Sequence, residues 1–156
     1  LECLFSLEAS GWKGQEKSAI ASNESDRQFY TQLANAAARF GFLSLYFLQL
    51  DGRTIAAHFG LSYRDRYYLL KCAYDEHYKQ YSPGHVIIHA VLQDCAARGL
   101  AEFDFTGLSD DWKLRWTKEG RELSYRYIFQ PNLVGRALHF AKFRLNPAVK
   151  SLLQPR

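Results

Sequence analysis

The run Asp75-Glu76-His77-Tyr78-Lys79-Gln80-Tyr81-Ser82-Pro83-Gly84-His85 concentrates the groups best suited to chemistry, between a strand-like apolar stretch and an amphipathic one. Pro83 suits the first turn of a helix, where its missing N–H is not needed, and Gly84 leaves room for a ligand to approach the backbone. The N–H groups opening such a helix, with the partial positive charge of its aligned peptide dipoles, make an anion site on which a pyrophosphate can dock. Gln80, Tyr81, Ser82, Pro83, Gly84 and His85 are therefore the candidate cofactor-binding residues. An ordinary helix start with Ser82 as N-cap accounts for the same residues equally well.

Two carboxylates are candidates for a general base: Asp75, which ends a strand, and Asp104, opposite the face shared by Phe103 and Phe105. Each also has a plainer role, Asp75 as a loop cap and Asp104 as a paired or solvated acid. Tyr125 is a candidate proton donor, although a tyrosine in an alternating apolar strand is more often core. Lys113 can neutralise a phosphate or orient a polar substrate, or simply pair with Asp110 three positions earlier. Trp12-Lys13, between Gly11 and Gly14, sets an aromatic ring and a cation on a connector suited to covering a site or to plugging a sheet. His85 and His89 stand four apart on one helix, but no glutamate neighbours the first and no third ligand is evident, so no metal is expected. His58 reads as a satisfied, half-buried strand residue. The chain has no GxSxG, GxxxxGK(S/T) or HExxH motif, which leaves serine-hydrolase, P-loop and zincin chemistry without support.

The elements that must position these groups follow from periodicity. Ser25 and Gln28 have capping-box spacing, and Phe29, Leu33, Ala36, Ala37 and Phe40 recur at helical intervals up to Gly41, predicting a helix over 26–40. Short apolar stretches at 43–50, 53–61 and 67–74, separated by Asp51-Gly52 and Arg64-Asp65, predict a three-stranded antiparallel meander. Ile87, Ile88, Val91, Leu92 and Cys95 form one stripe of a helix ended by Gly99, and a short strand at 101–105 completes a crossover. A further strand is expected over 123–130 and a helix over 133–145, broken at Asn146-Pro147.

A chain of 156 residues, 47% hydrophobic and 23% charged, is about one domain and has the composition of a folded protein. Its apolar stretches fall short of the about 20 residues that cross a bilayer. Three scattered cysteines without a CxxC pair indicate neither a disulfide framework nor a cysteine zinc site, and fit a cytoplasmic location, the inner face of the membrane included. The net charge of +4 is uneven: residues 131–156 carry five cations and no acid. A solvated face or a contact with a neighbouring domain explains this better than nucleic acid or lipid. The chain lacks methionine, and its start at Leu1 without signal-peptide features predicts a piece of a longer protein. The expected division is a lead-in segment over 1–22, a catalytic domain over 23–130 and a basic helical tail over 131–156.

The chain resembles the CelD/BcsL-type acetyltransferases associated with cellulose biosynthesis, GNAT-fold proteins related to the FemAB-like peptidoglycan transferases. The resembling pieces are Leu7-Glu8-Ala9-Ser10-Gly11-Trp12-Lys13-Gly14, Leu50-Asp51-Gly52-Arg53-Thr54-Ile55-Ala56, Ala73-Tyr74-Asp75, Tyr81-Ser82-Pro83-Gly84, and Phe103-Asp104-Phe105 with Lys113 and Trp116 beyond. The resemblance implies an α/β (α+β) GNAT-like fold, a mixed central sheet with an antiparallel meander flanked by helices. It also implies an acyltransferase that moves an acyl group from acetyl-CoA or another acyl-CoA to an amine or hydroxyl, a saccharide or envelope precursor among the acceptors. An N-terminal GNAT-like half of the same longer chain is the expected partner. Asp104, Asp75 and Tyr125 then become the acid–base candidates, and Lys113, Trp116, Trp12 and Lys13 the substrate-binding ones. Ordinary GNAT enzymes carry Arg/Gln-x-x-Gly-x-Gly/Ala at the phosphate turn, of which Gln80-Tyr81-Ser82-Pro83-Gly84-His85 keeps one glycine. A non-catalytic GNAT-like binding module and a transferase using aminoacyl-tRNA are the competing readings.

Overall fold

The computed structural model describes residues 1–10 and 23–145, and the chain divides into two compact units, Leu1–Arg115 and Trp116–Arg156. Trp12 and Lys13 lie outside the described residues. In the first unit, helix α1 (Glu2–Ser10) and helix α2 (Glu24–Arg39) precede strands β1 (Leu43–Leu50), β2 (Arg53–Tyr63) and β3 (Arg66–Tyr74). A 3-10 helix (Glu76–Tyr81), helix α3 (Pro83–Ala97), strand β4 (Glu102–Asp104) and the single turn α4 (Asp111–Leu114) follow. The sheet order is β1-β2-β3-β4, antiparallel through the meander and parallel between β3 and β4. This is a GNAT-like α/β fold.

Alternation along the strands sends side chains to two faces, each covered by helices. Ala57 and Phe59 of β2 pack with Leu4 and Leu7 of α1 and Ala34 of α2. Ala56, Tyr67 and Leu69 pack on the other face with Ile87, Val91 and Cys95 of α3. The far end of α3 is fastened to β1: the Tyr46 hydroxyl donates to Asp94 at 2.6 Å, and Arg98 donates to both Asp94 and the Tyr46 oxygen. Burial and this bond to a carboxylate push the Tyr46 pKa up to about 12.

Local expectations shift in instructive ways. Asn23, not Ser25, caps α2, accepting the Ser25 N–H at 3.0 Å, and Gln28 bonds Glu24 rather than closing a capping box. Asp51 and Gly52 both take positive φ, the hairpin turn whose twist matches the strands. Ser82 sits at the N-cap position of α3 but in a left-handed conformation with no side-chain cap bond, so it bends the chain instead of capping.

The second unit carries α5 (Leu133–Phe140) and a π-helical turn (Ala141–Leu145), with Asn132 accepting the Gly135 N–H as cap. The strand expected over 123–130 does not form, because these residues pair with no strand among those described. Their rings pack locally instead, Phe129 edge-on to His139 and Phe143, and Tyr127 beside Phe143 under Lys142. The break at Asn146-Pro147 lies outside the described residues.

Candidate active site

β3 and β4 pair over only three positions, ending at Tyr68 and Asp104. The cause is the backbone after β4. Thr106 and Gly107 take consecutive left-handed conformations that turn the chain away from β3. The Asp104 carboxylate accepts the Thr106 N–H at 2.7 Å, and the Thr106 hydroxyl donates to the Leu69 carbonyl at the crotch of the fork. The Lys113 ammonium donates to the Thr106 carbonyl at 2.9 Å and the Leu108 carbonyl at 2.8 Å, and lies 2.9 Å from Asp110. Three acceptors match its three donors. At the crotch, β3 also bulges: Phe59 pairs with Lys71 and Gly60 with Leu69, leaving Leu70 over.

Beyond the fork, β3 runs on from Leu70 to Tyr74 beside a cleft of about 580 Å³. Its walls come from both faces of the sheet: Leu7, Glu8 and Lys71 on the α1 side, and His58, Cys72 and Ile88 on the α3 side. The start of α3 (Ser82 to His85), Lys79 and Lys113 also line it. At that helix start Pro83 has no N–H, and the His85 and Val86 N–H groups both donate to the Ser82 carbonyl. The Gly84 N–H has no acceptor among the described residues and is the donor left for a ligand.

Of the residues singled out in the sequence, Ser82, Pro83, Gly84, His85 and Lys113 line the cleft, whereas Gln80, Tyr81, Asp75 and Asp104 are not among its lining residues. Asp75 is buried, accepts from Arg53 at 2.7 Å and from the His77 backbone at 3.1 Å, and lies 2.8 Å from His77 Nδ1. Burial works to raise its pKa, but these bonds and the Arg53 charge prevail and hold it below the ordinary carboxylate value. Tyr125 and Trp116 belong to the second unit, where Tyr125 is exposed and stacked on Tyr127. Among the described residues no group of three or more His, Cys, Asp or Glu side chains stands close enough to hold a metal ion.

A sequence model for the acetyltransferase (GNAT) domain matches residues 1–114, almost the whole first unit. The chain belongs to the GNAT acetyltransferase family. Enzymes of this family transfer an acetyl group from acetyl-CoA. No curated protein sequence matches the chain. Among solved structures, this GNAT domain is similar to the PaiA N-acetyltransferase of Thermoplasma acidophilum in complex with coenzyme A. That likeness has 13% identity and a TM-score of 0.51, covering 90% of this chain and 80% of that one. It is also similar to the ribosomal-protein-S18-alanine N-acetyltransferase of Escherichia coli, with 14% identity and a TM-score of 0.49, covering 91% and 69%. At 13% identity the likeness to the PaiA enzyme speaks to the fold alone.

Sequence reasoning missed Glu8, Lys71 and His58. Glu8 lies inside a segment that supplies the family resemblance, but its burial at 3% exposure, 3.7 Å from the Lys71 ammonium, depends on α1 packing against β3. His58, expected to be half-buried and satisfied, is fully buried, and neither ring nitrogen has a hydrogen-bond partner among the described residues.

Desolvation lowers the His58 pKa to about 4, so the folded ring is neutral where an unfolded chain's histidine, near 6.5, begins to take up protons. Its contribution to stability is complete above about pH 6.5 and drains away as pH falls toward about 4. Asp75, with its lowered value, contributes in the same direction but only below the ordinary carboxylate range. Urea midpoints measured between about pH 7 and 4.5 should therefore fall in the native protein and stay flatter in His58→Leu. Parallel curves for the two would rule out a neutral buried ring.

Proposed function

We propose that this GNAT domain binds acetyl-CoA with its phosphates at the start of α3 and its thioester in the fork between β3 and β4. The acceptor is an amine or hydroxyl of a polysaccharide or envelope precursor. The observation that carries this reading is the cleft itself, a passage through the sheet edge with an open helix N-terminus at its side. Support for the acceptor class is the resemblance to CelD/BcsL-type enzymes.

When bound, acetyl-CoA supplies a thioester carbon at which a C–N or C–O bond forms while the C–S bond breaks. The Gly84 N–H and the helix dipole hold the phosphates, with Lys79 as the nearby cation lining the cleft. Asp104 and Lys113 act as positioning residues: one fixes the Thr106 turn and the other clasps it from outside. Asp75, ionised and fully engaged, holds the 3-10 helix that leads into Ser82. Glu8, on the α1 side beside Lys71, receives the proton that the attacking acceptor loses.

Calorimetric titration with acetyl-CoA tests the donor assignment. The expected result is saturable heat with a dissociation constant between roughly 1 µM and 1 mM, the range of ordinary enzyme substrates. Silence with acetyl-CoA, longer acyl-CoA and free CoA alike would sink it and leave a binding module. Mass spectrometry of amino sugars and their oligomers after incubation with acetyl-CoA tests the acceptor. Acetylation of unrelated small amines alone would overturn the saccharide reading.

A further inference from the structure

Among the described residues of the first unit two buried donors lack partners, the Tyr67 hydroxyl and the His58 ring, and of the two residues only His58 borders the cleft. A buried polar group without a partner costs on the order of 1–3 kcal/mol, and native folds keep few of them. His58 is in the middle of β2, in register with Tyr46 on one side and Cys72 on the other, on the face covered by α3. It is the one β2 residue lining the cleft, which it borders across β3 at Cys72, although the ring nitrogens themselves are covered. Among the described residues no hydrogen bond holds a proton on the ring, and in the neutral form one ring nitrogen carries an N–H and the other accepts. On the donor assignment above, a thioester in the fork beside Leu70 to Cys72 that turns its carbonyl oxygen toward the α3 face turns it toward His58.

We infer that His58 is a catalytic residue of the donor site, its neutral imidazole N–H donating a hydrogen bond to the carbonyl oxygen of the bound thioester. This rests on the donor assignment proposed above. A neutral donor in a dry, apolar setting is effective in this role, because negative charge grows on that oxygen as the acceptor attacks and the ring need not reorganise to meet it. No proton changes hands at His58. The imidazole strengthens one hydrogen bond as the carbonyl becomes more polar and relaxes it when the carbonyl re-forms in the product.

The test uses a non-reactive ketone analogue of acetyl-CoA, in which a methylene separates the sulfur from the carbonyl. Infrared spectra of the bound, carbon-13-labelled ketone should show its carbonyl stretch shifted to lower frequency in the native protein and restored toward the solution value in His58→Leu. Turnover in His58→Leu should fall by about 10²- to 10³-fold, the usual effect of losing one such donor, with the dissociation constant for free CoA unchanged. His58→Asn, which keeps an N–H, should recover part of both signals. An unshifted carbonyl in the native protein, or native turnover in a folded His58→Leu, overturns the assignment. Failure of native protein to bind CoA would instead dismiss the donor site as a whole. Where His58→Leu does not fold, nitrogen-15 spectra of the native histidines decide. Analogue binding that leaves the His58 ring signals in place counts against the hydrogen bond.

Discussion

Gly84→Asp should raise the dissociation constant for acetyl-CoA about 100-fold, close to 2.8 kcal/mol, while leaving the melting temperature unchanged or slightly higher. The two effects have opposite signs because they come from different properties of one position. Gly84 supplies the N–H left open at the start of α3, and a charge-assisted hydrogen bond to a phosphate is worth roughly 1.5–3 kcal/mol. A carboxylate there takes up that N–H and repels the anion that needs it. For the free protein the same carboxylate is favourable, since an acid in the first turn of a helix gains about 0.3–1 kcal/mol from the dipole. A Cβ at this position meets only the Tyr74 ring, at 3.4 Å, an ordinary contact. Gly84→Ala serves as the control for bulk and should bind almost as the native protein does. Titration calorimetry and thermal melts on the three proteins separate the outcomes, and a folded Gly84→Asp with native affinity would remove the anion site from α3.

Gly60→Val acts on the scaffold rather than on the ligand, and should cost about 3 kcal/mol or more of stability. A Cβ on Gly60 would overlap the end of the Tyr67 ring. That ring is fully buried, with Tyr46 and Phe103 on either side, and has no room to swing. Tyr67 in turn sits in the short parallel ladder that fixes where β3 and β4 part. Because its hydroxyl has no partner among the described residues, Tyr67→Phe alone should be neutral or mildly stabilising. Tyr67→Leu should recover a large part of the Gly60→Val loss when the two are combined. Urea unfolding of the single and double variants measures this coupling. Additive losses would mean that the ring is not what excludes a side chain from position 60.

The meander, the crossover helix and the parallel strand were legible because each is written locally. Asp51-Gly52 and Gly99 mark ends, and the apolar stripe of Ile87, Ile88, Val91 and Cys95 repeats at helical spacing. The start of α3 at Pro83 was legible for the same reason. What escaped was set by tertiary packing. An acid in a segment such as Leu7-Glu8-Ala9 looks like a surface residue until α1 is laid on β3. The status of His58 depends on Tyr46 and Cys72 across the sheet and on α3 above it, none of which its neighbours Ala57 and Phe59 reveal. Asp75 and Asp104 were recognisable as chemically able, but their engagement with Arg53, His77 and the Thr106 N–H is a matter of loop geometry. The alternation of Leu123, Tyr125, Tyr127 and Phe129 carried a real strand signal that lacks a sheet edge to join among the described residues.

The separation of β3 from β4 is written into the φ angles of Thr106 and Gly107 and into the three carbonyl and carboxylate partners of Lys113. On the donor assignment proposed above, the parting of these strands is fixed by the chain itself, so no binding energy is spent on prising them apart.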